Sequence, residues 1–218
     1  MIKAVIFDLD GTLVNTISDL AASVEKALLE YGYPTHTVEE YTSYVGNGTM
    51  KLIERSLPAD TDKATVEFVH TRFSEIYSQH YCDTSLPYDG ITELLDMLSD
   101  RGVALCVNSN KPDGFTKAII SKLFPEHTFA HAVGQLNGVP KKPDPSSELD
   151  IISQLGLAKS EVLHIGDSDV DILTAHNSGI KAMGVAWGFR PRKTLLDAEY
   201  LADSPHEAKE ILQNLLQF

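Results

Sequence analysis

Asp8 and Asp10 stand two residues apart at the end of a short apolar run, Ile2 to Phe7, and Gly11 and Thr12 follow them. In an extended chain that spacing sends both carboxylates to the same side. Held together they repel, so the pair wants a cation or a shared proton. Gly11 allows a tight turn with exposed N–H groups, and Thr12 adds a hydroxyl. A second acidic group, Gly166-Asp167-Ser168-Asp169-Val170-Asp171, directly follows the apolar run Val162 to Ile165. Its D-x-D-x-D spacing opens like a calcium-binding EF-hand loop. That reading fails, because Ile172 stands where Gly is needed and Ser178 where Glu is needed. Asp167, at the end of its run, is the better metal ligand. Asp169 suits the first turn of a helix, and Asp171 suits an orienting carboxylate.

Two further groups carry polar chemistry. Asn108-Ser109-Asn110-Lys111 follows the apolar Val103 to Val107. A hydroxyl, an amide and free N–H groups ahead of a helix suit a phosphate oxygen, although Asn and Ser favour turns in any case. In Lys141-Lys142-Pro143-Asp144-Pro145 the prolines stiffen the segment, so a neighbouring lysine is held. Lys141 reads as solvated and Lys142 as the held one.

The elements that must position these groups alternate. Strands are expected over Ile2–Phe7, Val103–Val107, Phe129–Val133, Val162–Ile165 and Lys181–Ala186. Helices are expected over Ser18–Tyr31, Ile91–Arg101, Pro112–Leu123, Ser146–Leu155, Asp169–Ser178 and Pro205–Leu216. Alternation of this kind predicts an α/β fold with a doubly wound parallel sheet. Residues 16–82 interrupt it after the first strand with helix-like stripes and no convincing strand, a stretch too long for a loop. The expected division is a core of 1–15 and 83–218 with a helical insert of 16–82. Ligands of such sheets bind beyond the carboxyl ends of the strands, where the polar groups fall.

Composition bounds the partners. The chain has 218 residues, 18 basic and 31 acidic, for a net charge of −13. So acidic a chain is a poor nucleic-acid or anionic-membrane binder. No stretch approaches the 18 apolar residues of a membrane span. Cys82 and Cys106 make no disulfide framework, and a reduced, cytoplasmic location is expected.

Taken together, the motifs resemble the haloacid dehalogenase-like hydrolase superfamily. D-x-D-G-T appears as Asp8 to Thr12, the Ser/Thr motif as Ser109, K-P-x-P as Lys142 to Pro145, and G-D-S-x-x-D as Gly166 to Asp171, in that order along most of the chain. The insert resembles that family's first type of helical cap. Val45-Gly46-Asn47-Gly48 and Gly184-Val185-Ala186-Trp187-Gly188 resemble the phosphoglycolate phosphatase branch. Asn15 departs from the family's usual Asp, which bears on the contacts at the entry to the insert. Asp10 argues against dehalogenases and phosphonatases, and Leu20, where mutases carry His, argues against mutase activity.

The resemblance implies a phosphatase acting on a small phosphorylated metabolite through an aspartyl-phosphate. Asp8 would be the nucleophile and Asp10 the acid and base. Mg2+ would sit on Asp8, the Asp10 backbone carbonyl and Asp167, with Asp171 supporting. Gly11, Thr12, Ser109, Asn110 and Lys142 would hold phosphate oxygens, and Gly46, Asn47 and Gly48 would form a substrate loop. His36, Lys51 and Arg55 are further candidates to read the substrate. Phosphoglycolate leads, with pyrophosphate and sugar or nucleotide monophosphates as alternatives. A phospho-accepting receiver and a catalytically silent interaction protein are the readings from other classes. A monomer and a homodimer both remain open.

Overall fold

The computed structural model describes residues 1–216. Its strands are β1 (Ala4–Phe7), β2 (Val14–Asn15), β3 (Leu86–Pro87), β4 (Ala104–Pro112), β5 (Phe129–Gln135), β6 (Val162–Gly166), β7 (Lys181–Val185) and β8 (Tyr200–Ala202). The helices are α1 (Ile17–Glu30), α2 (Val38–Tyr44), α3 (Thr49–Ser56), α4 (Lys63–His80), α5 (Ile91–Asp100), α6 (Asp113–Leu123), α7 (Ser146–Leu155), α8 (Asp169–Ser178) and α9 (Pro205–Leu215).

Six strands form one parallel sheet in the order β5-β4-β1-β6-β7-β8. The chain builds outward from β1 through β4 to β5, then returns to the other side of β1 with β6. The border of β1 and β6 is therefore where the winding reverses, and the crevice beyond it is the natural ligand position. Register sets Phe7 opposite both Val107 and Ile165, so the residues that follow these strands emerge side by side.

Both faces of β1 are buried, as its unbroken Ala-Val-Ile-Phe run requires. Val5 and Phe7 pack with Leu94 and Leu98 of α5 and Leu212 of α9. Ala4 and Ile6 face the other layer, with Ile151 of α7 and Ile172 of α8. α7 and α8 stop at Gly156 and Gly179, both left-handed, as their sequence positions imply.

Helices α1 to α4 pack around a hydrophobic cluster of their own, including Leu20, Val24, Leu28, Ile53, Val69, Phe73 and Tyr77. The fold is thus the expected α/β sheet with a helical insert. Three details differ from expectation. The two-residue ribbon β2–β3, pairing Val14 with Pro87 and Asn15 with Leu86, joins the two ends of the insert; two residues are too few to show a period. The strand expected to stop at Val107 runs to Pro112, with an irregularity between Asn108 and Pro112. The short strand β8 was not expected at all.

Candidate active site

Asp8 emerges from β1 at the winding reversal. Its Oδ1 lies 3.0 Å from Lys142 Nζ, yet that buried oxygen makes no well-formed hydrogen bond. Lys142 Nζ donates instead to Asp171 Oδ1 at 2.7 Å. Behind it runs a buried polar chain. Asp171 also meets His164 Nε2 at 3.3 Å, and its Oδ2 accepts from Ser168 Oγ at 2.6 Å. His164 Nδ1 bonds Glu148 Oε1 at 2.7 Å, and Asn108 Nδ2 donates to Glu148 Oε2 at 2.6 Å. Burial alone would push His164 down; Glu148 and Asp171 outweigh it and hold the imidazole up at about 9. Burial would likewise raise Asp171, but Lys142 and His164 keep its carboxyl well below the usual range. Asp171 is thereby committed as an anion and fixes the Lys142 ammonium.

Asp167 follows β6. Its Oδ1 accepts from Thr12 Oγ1 at 3.2 Å and its Oδ2 from the Phe189 N–H at 2.7 Å. A Cβ on Gly11 would overlap the Asp167 carboxylate, and one on Gly188 would overlap both Asp167 and the Gly11 carbonyl. Glycine at both positions is what lets this side chain fit.

Asp8, Asp167 and Asp171 each bring a carboxylate oxygen within 4.8 Å of the others. Burial raises Asp8 to about 6, with Lys142 opposing and Asp171 adding. Burial, Asp171 and Asp8 raise Asp167 to about 8. Crowded hard oxygen donors on buried carboxylates are the chemistry a divalent cation such as Mg2+ satisfies, so these residues fit the expected ion.

Asp10 faces the same space. Its Oδ1 accepts from Thr16 Oγ1 at 2.6 Å and from Lys111 Nζ at 2.9 Å; its Oδ2 is 3.2 Å from Lys111. Ser109 and Asn110 sit on the irregular end of β4. The Asn110 amide donates to the Gly46 and Lys142 carbonyls, each at 3.1 Å, and accepts from the Lys142 N–H at 2.9 Å, so its side chain ties two loops together. Asp8, Asp10, Ser109, Asn110, Lys111, Asp167 and Ser168 form the polar wall of a small cavity of about 40 Å3. Leu20, Val45, Leu52 and Phe189 form its apolar wall, with Gly46, Gly48, Thr49 and Arg190 between.

The structure thus gathers Asp8, Asp10, Ser109, Lys142, Asp167 and Asp171 from four separate stretches of chain. Thr12 is drawn in differently, its buried hydroxyl spent on Asp167. Of the insert loop, Gly46 and Gly48 line the cavity, whereas the Asn47 side chain is held by Arg55 Nη2 at 2.8 Å. Arg55 also caps the Tyr44 carbonyl, His36 bonds the Ser56 carbonyl, and Lys51 pairs with Glu54; none lines the cavity. Asn15 accepts from the Ile17 N–H at 3.4 Å beside the ribbon.

Arg190, Glu148 and His164 lie outside the polar groups read from the sequence, and Lys111, which closes one of those groups, takes a role that the group did not assign to it. Arg190 and Glu148 carry no local sequence pattern that singles them out. A histidine inside Val-Leu-His-Ile was the one available signal, since an apolar strand buries it and buried imidazole needs partners. Arg190 reaches the insert, where its guanidinium meets the Thr42 and Val45 carbonyls at the end of α2.

Residues 5–185 match the family model described as haloacid dehalogenase-like hydrolase. The chain is similar to a protein of Mannheimia succiniciproducens named phosphoglycolate phosphatase, 33% identical over 204 residues, covering 90% of this chain and 91% of the relative. A Haemophilus influenzae protein of the same name is 34% identical over 194 residues, covering 86% and 87%. The crystal structure of a predicted phosphoglycolate phosphatase from Haemophilus somnus superposes with a TM-score of 0.90 at 27% identity, covering 97% of this chain and 98% of the other. Fold, carboxylate cluster and family match coincide, and the chain belongs to the haloacid dehalogenase-like hydrolases.

Proposed function

We propose that this protein hydrolyses a small phosphate monoester in two steps through an aspartyl-phosphate, with 2-phosphoglycolate as substrate. The observation that carries the reading is Asp8 itself. It is a carboxylate at the centre of the sheet's carboxyl edge, with one oxygen free of any good hydrogen bond, opposite an ammonium and beside Asp10 and Asp167. In this reading Asp8 attacks phosphorus, and the bond to the ester oxygen breaks as Asp10 gives that oxygen its proton. Asp10 then takes a proton from the water that attacks the aspartyl-phosphate, and phosphate leaves as Asp8 is restored.

Lys142, Ser109 and the Asn110 N–H group hold the phosphoryl oxygens, whereas the Gly11 and Thr12 N–H groups, expected to do so, are already donated to the Val14 and Leu9 carbonyls at 2.9 and 3.3 Å. Asp8, Asp167 and the Asp10 backbone carbonyl would hold Mg2+, with Asp171 bordering the cluster. When bound, the ion supplies positive charge that offsets repulsion between carboxylate and phosphate. Residues 16–82 act as a cap on a core of 1–15 and 83–218, and Gly46 and Gly48 present the cap to the substrate. The activity named for the Mannheimia and Haemophilus relatives supports a small ester. Two free, buried cysteines support a cytoplasmic setting.

The test is a panel of phosphate esters with and without Mg2+, alongside Asp8→Asn. Mg2+-dependent turnover with the highest kcat/KM on 2-phosphoglycolate is expected. A higher value on pyrophosphate, or on a sugar or nucleotide phosphate, would reassign the substrate. Full activity in Asp8→Asn would remove the nucleophile.

A further inference from the structure

Lys111 is a buried cation to which the reaction above gives no part. Its side chain is 1% exposed. It departs from β4 two residues beyond Ser109 and reaches the Asp10 carboxylate at 2.9 and 3.2 Å. On its other side the ammonium lies 4.9 Å from the ring centroid of Tyr77, a fully buried residue of α4 in the helical insert. A desolvated ammonium over an aromatic face is attracted to it. Lys111 is therefore clamped between Asp10 on the core and Tyr77 on the insert. Nothing in the set gathered around Asp8 needs it, since Lys142 already faces that carboxylate.

Its contacts distinguish the two oxygens of Asp10. Oδ1 takes the Thr16 hydroxyl at 2.6 Å and the ammonium at 2.9 Å, whereas Oδ2 has only the longer contact. The first oxygen is anchored and the second is the one able to exchange a proton. We propose that Lys111 is a positioning residue for the acid–base step, which fixes Asp10 with Oδ2 toward the leaving oxygen and, through Tyr77, sets that alignment only while the insert is docked. This rests on Asp10 being the acid and base. As the phosphorus–oxygen bond breaks, its electron pair stays on the leaving oxygen and the proton on Oδ2 follows. Asp10 becomes a carboxylate whose charge Lys111 and Thr16 hold on Oδ1, an interaction stronger after transfer than before.

The role has a signature that general structural damage lacks. An alkyl ester such as 2-phosphoglycolate needs its leaving oxygen protonated; p-nitrophenyl phosphate, whose phenolate leaves unaided, needs this far less. With Mg2+ present, Lys111→Met is expected to lower kcat/KM, which reports the step that expels the leaving group and not the later hydrolysis common to both esters, by about 100-fold on 2-phosphoglycolate, at the low end for general acid–base catalysis, and by at least ten times less on the aryl ester. In a double-mutant cycle, Lys111→Met should add little to Asp10→Asn, because it acts through Asp10. Tyr77→Leu should show the same preference with a smaller loss, and serves as the test if Lys111→Met does not fold. Equal losses on both esters, or additivity with Asp10→Asn, would overturn the proposal. If Asp10→Asn itself shows no leaving-group preference, the acid–base reading of Asp10 has failed instead.

Discussion

Asp167 shows how one side chain depends on residues with no side chain at all. Gly11 and Gly188 leave it just enough room, so Gly188→Ala must move either the carboxylate or the Gly11 turn. Expected are a loss of Mg2+ affinity of about tenfold or more, on the scale of disturbed outer contacts in metal sites, and a fall in kcat/KM; titration calorimetry with Mg2+ checks the first. The carboxylates also make a prediction about pH. Asp8 at about 6 and Asp167 at about 8 both stand above the ordinary 3.8. The folded protein therefore binds more protons than the unfolded chain. The stability these groups contribute is full below about pH 4 and is lost as pH rises through 6 and then 8. Mg2+ favours the ionised form of both and acts in the opposite sense. The rise in Tm on adding Mg2+ should accordingly be larger at pH 8 than at pH 5, and an equal rise would count against the cluster as its site.

At the scale of elements, the question is what holds the insert against the sheet. Asp19 of α1 accepts from the Thr84 and Ser85 N–H groups and from both their hydroxyls, at 2.6 to 3.1 Å, so the entry and exit of the insert are clasped together. Burial would raise its carboxyl, but the Ser85 and Thr84 hydrogen bonds outweigh that and hold it low. Asp19→Ala leaves those N–H groups unpaired and should cost about 3 kcal/mol by urea denaturation. At the other end Arg190 caps the carbonyls of α2, while Phe115 and Phe189 pack into the insert's cluster. Arg190→Ala should speed amide exchange in α2 and raise KM several-fold, as expected when a lid closes less completely. Unchanged exchange would show that the phenylalanines suffice.

The whole molecule carries a net charge of −13 yet is proposed to take an anion. Lys142 and Lys111 act locally, buried against carboxylates, and project little positive field outward. At long range the protein should repel its substrate. Raising ionic strength from about 10 mM to 150 mM shortens the screening length from roughly 30 to 8 Å. At constant saturating Mg2+, kcat/KM should rise over that range. A steady fall would point to an attracting patch at the mouth of the site.

The sequence alone determined the class of fold and most of the site. Apolar runs with few breaks marked the central strands, and glycines marked the helix ends. Asp8 and Asp167 could be placed because each immediately follows a strand, and strand ends are local features. Lys142 was legible for the same reason, since its prolines declare a held segment. Lys111, Glu148, His164, Arg190 and Asp19 were not legible in these roles. Each is an ordinary polar residue whose meaning comes from a partner far along the chain, 101 residues for Lys111 and Asp10 and 65 for Asp19 and Thr84. Local pattern carries no information about such pairs. Only the tertiary structure, by burying both members together where water cannot satisfy them, decided that Asp171 belongs to Lys142, that Thr12 serves Asp167, and that Lys111 reaches Asp10.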